Sequence, residues 1–267
     1  MTEDLLSEAY NSGLEHEKAG RLDEAEEAYR RALQLNPEDP GGVTVRLAAM
    51  GRGDPPSQAP EAYVAMLFDQ HAEVFDGILV DQLGYAVPMT MRERLQSNDL
   101  GPFDRMLDLG CGTGLAAVAL EDMCNHMTGA DLAEGMVEVS DDKDIYDDLY
   151  VAEATSFLLA AEEENESWDL IVATDVLPYI GDATAFIAAA ASRLTPGGVL
   201  TFSTETLPDL MDWKVTPYHR YAHSRSYIEA EASEVGLKLL DVADIVVRHE
   251  EGAPIPGHLY VFRKPDR

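Results

Sequence analysis

The sequence predicts an α/β protein: a mostly parallel sheet of seven strands, the last one antiparallel, with a small helical unit at the N terminus. Two observations predict this fold. From Phe103 onward, short apolar runs typical of strands alternate with segments of helical periodicity, the pattern of a parallel sheet covered by helices. Residues 1–38 instead carry apolar and charged positions at helical spacing, broken once at Gly20.

The elements of the sheet-forming part follow from this alternation. Strands are predicted at residues 103–109, 126–131, 148–153, 168–174, 197–205, 238–247 and 258–263. Helices are predicted at residues 114–123, 133–141, 155–163, 182–194 and 224–235. Because no helix separates the last two strands, we expect them to pair as an antiparallel hairpin at the edge of the sheet.

The segment before the sheet is predicted to be helical, with one interruption. Residues 51–60 are rich in Gly and Pro and are predicted to be a linker. Apolar side chains at helical spacing predict a helix over about 61–83, and a proline start predicts another over 88–96. The chain is therefore divided into a helical unit (1–50), the linker and a main domain (61–267).

Small, aromatic and proline residues recur at fixed spacings in the first helical pair. They are Gly13, Ala25, Tyr29, Ala32 and Pro37. This pattern resembles a tetratricopeptide repeat, in which small residues let two antiparallel helices approach and a proline ends the second. Residues 42–50 have the length of one truncated helix of a second repeat. The unit either buttresses the main domain or offers a docking surface to a protein partner, and the sequence leaves both open.

The charge of the chain limits its partners. It has 50 acidic against 19 basic residues and a formal net charge of -31. Such a surface repels polyanions, so nucleic acid and anionic membranes are not expected as partners. Two cysteines make neither a disulfide framework nor a metal cluster, and the acidic N terminus lacks the basic and apolar regions of a signal peptide. We expect a cytoplasmic protein that binds no metal.

The first predicted strand runs directly into a glycine-rich turn, Asp-Leu-Gly-Cys-Gly-Thr-Gly at 108–114. Glycine lets the backbone turn sharply and lets a ligand lie against it without a Cβ clash. A dinucleotide site requires G-x-G-x-x-G or G-x-G-x-x-A. From Gly110 the third position is Leu115, which fails, and from Gly112 the match with Ala117 begins late after the strand. A dinucleotide is thus one of two ligand classes that compete for this turn.

The form D-x-G-x-G at Asp108, Gly110 and Gly112 resembles motif I of the class I S-adenosylmethionine-dependent methyltransferases, which have a Rossmann-like fold. Further segments of that family follow in order over roughly residues 63–263. They are GADLAEGM at 129–136, AEA at 152–154, WDLIVATDVLPY at 168–179 and TPGGVLTF at 195–202. With its tetratricopeptide-like front end and FDQHAEVF at 68–75, the whole resembles a bacterial subfamily of methyltransferases that carry such repeats.

The resemblance implies S-adenosylmethionine as the cofactor and a set of residues that bind it. Asp131 would hold both ribose hydroxyls, Met136 would pack on the adenine, and Glu153, where the family usually has Asp, would meet the adenine amino group. The implied set is Asp108, Gly110, Cys111, Gly112, Asp131, Leu132, Met136, Glu153, Ala154, Thr174, Asp175 and Tyr179. Cys111 is interpreted as a small residue of a tight turn and not as a nucleophile.

Three segments are candidates for the acceptor side: residues 61–88, the turn at 178–181 and the connection after the fifth strand, residues 205–224. The connection is the most informative of them. It begins at the carboxyl end of a strand, where ligands of open parallel sheets lie. It is rich in aromatic and cationic side chains, namely Trp213, Tyr218, His219, Arg220, Tyr221 and His223. We interpret Arg220 as the partner of a substrate anion, and His219, His223 or Tyr221 as the group that takes a proton. The alternative is an ordinary surface crossover whose aromatic side chains pack on the sheet.

The predicted function is methyl transfer from S-adenosylmethionine to a small-molecule acceptor by in-line displacement. Most of the acceleration would come from placing the acceptor atom opposite the sulfur, and a base is needed only if that atom must lose a proton. Two alternatives stay open: a nicotinamide-dependent oxidoreductase, and a cofactor-binding protein that docks or methylates a protein partner through residues 1–50.

Overall fold

A computed structural model describes residues 2–163, 165–208, 211–250 and 252–266. The α-helices are α1 (Thr2–Lys18), α2 (Leu22–Leu35), α3 (Val43–Ala49), α4 (Glu61–Asp69), α5 (Val87–Ser97), α6 (Leu115–Leu120), α7 (Glu134–Asp141), α8 (Ala154–Glu163), α9 (Thr184–Arg193) and α10 (Arg225–Glu234). The strands are β1 (Phe103–Leu109), β2 (Cys124–Asp131), β3 (Asp148–Val151), β4 (Trp168–Ala173), β5 (Leu194–Leu207), β6 (Trp213–Val215), β7 (Tyr221–Ser224), β8 (Lys238–Glu250) and β9 (Ala253–Arg263).

The strands of the described part form one mixed sheet. Strands β3, β2, β1, β4 and β5 lie side by side in that order, and all are parallel. Strand β9 pairs antiparallel with β5, and β8 pairs antiparallel with β9, which confirms the predicted hairpin and the antiparallel last strand. Residue 251, in the predicted hairpin turn, lies outside the described residues. The strand order reverses between β1 and β4, so a ligand is expected at the carboxyl ends of these strands.

Two strands of the sheet were not predicted. Strands β6 and β7 lie within the connection that we assigned to the acceptor, and they pair with each other in antiparallel register. Strand β7 also extends the sheet, because Glu205 near the end of β5 pairs with Ala222 on one side and with Gly257 of β9 on the other. Residues 209 and 210 of this connection lie outside the described residues. The connection is thus sheet structure rather than a plain surface crossover.

The sheet is covered on both faces, and the alternation of side chains along its strands creates two hydrophobic layers. In β1, Leu107 and Leu109 pack with residues of α8, α9 and α10, whereas Met106 packs with residues of α5 and α6. In β4, Ile171 belongs to the first layer and Leu170 to the second. This two-faced burial explains the run of apolar residues Leu170–Ala173 in β4.

The N-terminal helices pack as the tetratricopeptide-like spacing predicts. Tyr29 is fully buried between α1 and α2. A Cβ atom at Gly13 would lie 2.4 Å from the Tyr29 ring, so the close approach of the two helices requires glycine there. Helix α3 continues the unit and contributes Val43 and Leu47 to the same apolar cluster.

The predicted linker is tied to the main domain by backbone hydrogen bonds. The Ser57 carbonyl accepts from the amides of Gly181 and Asp182, both at 2.8 Å, and the Ala59 amide donates to the Tyr179 carbonyl at 2.8 Å. Gln58 forms an antiparallel bridge with Ile180. Residues 57–59 therefore run along the segment that follows β4, and Gln58 and Ala59 line the cavity described below.

The single helix predicted over 61–83 is broken in the structure. Helix α4 ends at Asp69, a 3₁₀ turn covers Ala72–Val74, and a π-helical turn covers Gly77–Gln82. Gly77 at the start of the π-helical turn lowers the helix propensity, and such turns are frequent at functional sites. No helix among the described residues is long and apolar enough to cross a membrane.

Candidate active site

The glycine turn after β1 forms the floor of a cavity at the carboxyl ends of β1, β2 and β4. Gly110 and Gly112 have left-handed φ angles of 64° and 54°. The two glycines are needed for different reasons. A Cβ at Gly110 would lie 2.4 Å from Val176, whereas a Cβ at Gly112 would meet only Phe75, at 4.0 Å. Gly112 is therefore bare toward the cavity and leaves room for a ligand against the backbone.

The acidic residue at the end of β2 lies beside this turn. Asp131 Oδ2 accepts a hydrogen bond from the Gly112 amide at 2.8 Å, and Oδ1 accepts from the Ala133 amide at 2.9 Å. Burial raises the pKa of Asp131, although these amides pull it down. The carboxylate is thus fixed in orientation and lines the cavity, where its remaining lone pairs can accept from the two hydroxyls of a ribose.

Glu153, the acid predicted to meet the adenine, also caps a helix. Glu153 lines the cavity, but its carboxylate also accepts from the amides of Thr155 and Ser156, at 3.0 and 2.7 Å, and so caps the start of α8. Of the other residues implied for the cofactor, those lining the cavity are Gly110, Cys111, Gly112, Leu132, Ala154, Thr174, Asp175 and Tyr179. Met136 does not line it and is buried among Ala72, Ala133 and neighbouring aromatic rings.

Asp108 is buried beneath the turn and does not line the cavity. Its Oδ2 accepts from the Tyr146 hydroxyl at 2.6 Å, while Oδ1 is buried without a hydrogen-bond partner among the described residues. Burial raises the pKa of Asp108 to about 7, with the Tyr146 hydrogen bond opposing and Asp131 adding to the rise. Asp108 therefore supports the turn from below and carries a proton over much of the acidic range.

This gives a prediction for stability against pH. The unfolded chain releases the Asp108 proton near pH 3.8 and the folded chain near pH 7, so Asp108 makes stability fall as pH rises through that window, after which its contribution is constant. In Asp108→Asn that fall should be absent. Urea unfolding at pH 5 and pH 8 measures it, with the exposed Asp104→Asn of the same strand as control. Identical pH dependence in the two variants would contradict the buried, protonated state.

The wall opposite the turn comes from residues 61–83, which are tied to the turn by polar contacts. Asp76 accepts from the Thr113 hydroxyl and, at 2.8 Å, from the Lys143 ammonium. Asp69 Oδ1 accepts from the Gly135 amide at 2.9 Å. Phe68, Phe75, Val64 and Leu79 line the cavity from this wall. The broken helix thus supplies an apolar and aromatic cover over the glycine turn.

The charges that line the cavity all have one sign. Glu61, Asp131, Glu153 and Asp175 line it, and none of the described lining residues is Lys, Arg or His. Within the described part of the chain, no group of three or more His, Cys, Asp or Glu could hold a metal ion. Burial raises the pKa of the Cys111 thiol well above its usual range, which fits the interpretation of Cys111 as an inert turn residue. The cavity is therefore suited to neutral and cationic ligand groups.

A buried charge cluster lies behind the end of β4. Arg248 is 3% exposed; its Nη2 lies 2.6 Å from Glu205 Oε1 and 3.2 Å from Glu250 Oε2, and its Nη1 lies 3.7 Å from Asp175 Oδ1. Asp175 has a left-handed φ of 60° and donates its amide to Ser203. Burial raises the pKa of Asp175, although Arg248 and Arg220 pull it down. Asp175 is the member of this cluster that lines the cavity.

The residues predicted to act on the acceptor do not line the cavity. His223 is fully buried; its Nε2 lies 2.9 Å from the Gly181 carbonyl, and burial lowers its pKa to about 4. Tyr221 is fully buried and donates to the Pro56 carbonyl at 2.9 Å. His219 contacts Glu17 of α1. Arg220 reaches the cavity indirectly, because it donates to the hydroxyl of Tyr179.

Sequence reasoning missed Arg248 and Glu205 as members of the site. Their cluster joins β5, β8 and the end of β4, and its members are separated by many residues along the chain. One signal was available: Arg248 directly follows the apolar run Ile245-Val246-Val247 in a predicted strand. A charged residue in such a place is rarely buried without a partner.

The strand order, the bare glycine turn and the acid at the end of β2 define a Rossmann-like α/β protein with a site for a nucleoside-containing ligand. A sequence model of the family described as "Methyltransferase domain" matches residues 79–242. This is more than half of the chain, so the protein belongs to the methyltransferase-domain family. A second family model, "Tetratricopeptide repeat", matches residues 9–39.

Curated relatives match part of the chain. A ubiquinone biosynthesis O-methyltransferase of Bartonella quintana is 32% identical over 107 residues, which cover 39% of this chain and 43% of that protein. The enzyme of the same description from Xanthomonas campestris pv. campestris is 35% identical over 105 residues, covering 39% and 44%. The chain thus spans less than half the length of these relatives.

Solved structures share the fold. The N-methyltransferase NodS from Bradyrhizobium japonicum, in complex with S-adenosyl-L-homocysteine, covers 66% of this chain and 85% of its own, with 21% identity and a TM-score of 0.53. A SAM-dependent methyltransferase from Leishmania major covers 76% and 82%, with 15% identity and a TM-score of 0.60. The likeness confirms the Rossmann-like architecture predicted from the alternation of strands and helices.

Proposed function

We propose that this protein transfers a methyl group from S-adenosylmethionine to a small acceptor molecule. The observation that carries the proposal is the charge of the cavity, which holds four carboxylates and, among its described lining residues, no Lys, Arg or His. S-adenosylmethionine carries a sulfonium and an ammonium group against one carboxylate, and its net positive charge suits such a lining. A dinucleotide would bring the negative charges of a pyrophosphate to this acidic lining, in which none of the described side chains is cationic, so the oxidoreductase alternative is disfavoured.

The residues present fit this cofactor. The bare backbone at Gly112 leaves room for it, Asp131 is oriented to accept from the ribose hydroxyls, and residues 152–154 line the cavity where the adenine is expected. When bound, the cofactor supplies a methyl group on a sulfonium, which is a good leaving group. The protein must then exclude water and position the acceptor. In favourable cases this positioning accounts for most of the rate acceleration.

The acceptor is proposed to lie at the end of the cavity that Asp175 and Tyr179 share with the aromatic wall. The Phe68 ring meets that of Tyr179 edge-on, with centroids 5.4 Å apart, so an apolar or aromatic body fits there. Asp175 Oδ1 is buried and faces Arg248 Nη1 at 3.7 Å, whereas the side chain as a whole is 17% exposed and lines the cavity. We assign its other carboxylate oxygen, Oδ2, to receive the proton of the reacting hydroxyl or amine. This replaces the role suggested by the sequence for His219, Tyr221 and His223.

The lining also restricts the acceptor by charge. An anionic acceptor would have to approach Asp175 and Glu61, and none of the described lining residues is a cation. Arg248 lies behind Asp175, at 3.7 Å, and its charge is already shared with Glu205 and Glu250. Arg220, interpreted from the sequence as the partner of a substrate anion, instead donates to Tyr179. We therefore propose that the acceptor is a neutral or cationic small molecule. We also propose that the protein acts in the cytoplasm and has neither nucleic acid nor membrane as a partner. The alternative of a protein partner docked through residues 1–50 stays a prediction.

The cofactor assignment is tested by binding. Asp131→Ala should weaken binding of S-adenosylhomocysteine by about 10- to 100-fold, because hydrogen bonds to a charged group are worth roughly 1.5–3 kcal/mol. Isothermal titration gives the dissociation constant, and the wild-type melting temperature should rise, since ligand at ~100 times Kd adds ~2.7 kcal/mol. The exposed Asp141→Ala in α7 is the control. Equal affinity of both variants, or preferential binding of NAD, would overturn the assignment.

A further inference from the structure

The N-terminal helical unit reaches the β6–β7 hairpin through one carboxylate. Glu17, in α1, accepts from the Tyr29 hydroxyl, and its Oε2 lies 3.2 Å from Arg46 Nη1. Its other oxygen lies 3.1 Å from Nε2 of His219, which stands at the tip of the hairpin. Glu17 and His219 are both about one-fifth exposed, at 18% and 22%. The contact is thus sheltered and not a loose pair on the surface.

The charge states in this contact can be assigned. Burial raises the pKa of Glu17, but Tyr29, Arg46 and His219 together bring it below its usual value, so Glu17 is ionised. Burial and the charge of Arg46 lower the pKa of His219, so the imidazole is neutral near pH 7. An ionised carboxylate can only accept, so the imidazole N–H must donate to Glu17.

The turn that carries His219 is closed and strained. The Thr216 amide donates to the Arg220 carbonyl at 2.7 Å, and the His219 amide donates to the Thr216 carbonyl at 3.0 Å. His219 has a left-handed φ of 59°, which non-glycine residues adopt only when their surroundings fix them. The hydrogen bond to Glu17 is such a fixing contact.

Arg220, the residue after His219, connects this turn to the cavity. Arg220 donates to the Tyr179 hydroxyl, and its guanidinium lies 5.3 Å from the centroid of the Tyr179 ring. Tyr179 lines the acceptor end of the cavity. Val45 of α3 is fully buried in one apolar cluster with Tyr179 and Tyr221. The helical unit therefore contacts the back of Tyr179 by apolar packing as well as through the hairpin.

We infer that Glu17 and His219 are positioning residues, and that the tetratricopeptide-like unit is part of the acceptor site. Through the hairpin, Glu17 fixes Arg220, and Arg220 fixes the orientation of Tyr179 beside Asp175. A single repeat of this kind lacks the neighbours that normally stabilise it, and here the main domain takes their place. This inference rests on the proposed function for its catalytic consequence, but the positioning itself is independent of it.

Glu17→Gln tests the inference in the full-length protein. Hydrogen exchange at amides of 213–224 and 176–182 should become faster, while exchange at 106–115 and the dissociation constant of S-adenosylhomocysteine should stay within twofold of wild type. With methyl-labelled S-adenosylmethionine and an extract of small metabolites, label transfer should fall about tenfold. Glu26→Gln, which removes the same charge from α2 of the same unit, is the control and should change none of these values.

Three other results are decisive. Exchange and label transfer equal in Glu17→Gln and Glu26→Gln would overturn the inference. If Glu17→Gln exchanges faster throughout the chain, His219→Asn replaces it, because asparagine tolerates the left-handed conformation while removing the imidazole; unchanged exchange at 176–182 in that variant would also overturn it. If the wild-type protein labels no metabolite, the proposed function fails, and the exchange comparison still decides the positioning.

Discussion

Asp175→Asn is expected to lower methyl transfer by about 100-fold or more, the scale of a lost general base. The carboxylate lines the cavity and is 17% exposed there, and burial raises its pKa although Arg248 and Arg220 oppose the rise, so it is a stronger base than an exposed Asp. The amide retains the shape but cannot take a proton. Turnover of methyl-labelled cofactor, with the acceptor found in the metabolite extract, measures the loss.

The same variant separates the two roles available to Asp175. If it receives a proton, the dissociation constant of S-adenosylhomocysteine should stay within about threefold, and the variant should lose the acidic limb of the wild-type pH–rate profile. That limb arises because the carboxyl must be ionised, so turnover falls as pH drops through its raised pKa. The exposed Asp182→Asn is the control. Cofactor affinity that falls in step with turnover would instead support the sequence-based assignment of Asp175 to the cofactor.

Gly112→Ala should weaken binding of S-adenosylhomocysteine by about 10- to 100-fold, since overpacking a closed site costs on the order of 1–3 kcal/mol. The added methyl group would meet only Phe75 at 4.0 Å within the protein, so the clash is with the ligand. Titration calorimetry measures the affinity.

Gly236→Ala is the matched control for backbone strain. Gly236 also has a left-handed φ, of 81°, and a Cβ there would meet no atom of the described part of the chain within 4 Å. Both variants should therefore lose a similar stability, roughly 1–2 kcal/mol for the left-handed conformation, while Gly236→Ala binds normally. If Gly112→Ala also binds normally, the ligand does not lie against this turn.

The sequence predicted those features that depend on local pattern. Strand β4 is buried on both faces and carries an apolar run, and the turn at Gly112 needs glycine for its own φ, so both features are visible in a short stretch of sequence. Strands β6 and β7 have only three and four residues and exist because β5 offers them an edge. No local pattern records such a partner.

The residues predicted to act on the acceptor show that a local pattern also fails to distinguish a pocket from a core. An aromatic or histidine-rich segment at the end of a strand looks equally suited to a pocket and to a core, and His223 and Tyr221 turned inward to bond the carbonyls of Gly181 and Pro56. The pairing of Arg248 with Glu205 spans 43 positions of the chain. The order of the strands in the sheet decides which charged side chains meet at the end of β4. The amino-acid composition of a segment does not reveal that order.

The contact between Glu17 and His219 joins positions 202 residues apart. Closing so long a loop costs chain entropy that local contacts do not, so this contact is expected to form after the glycine turn and its neighbouring strands during folding. During synthesis the N-terminal helices leave the ribosome first, and Glu17 can contact His219 only after the β6–β7 hairpin has been synthesised. In a growing chain the glycine turn would then form before Tyr179 is fixed at the acceptor end of the cavity. Such a chain would bind S-adenosylmethionine before it could position the acceptor for methyl transfer.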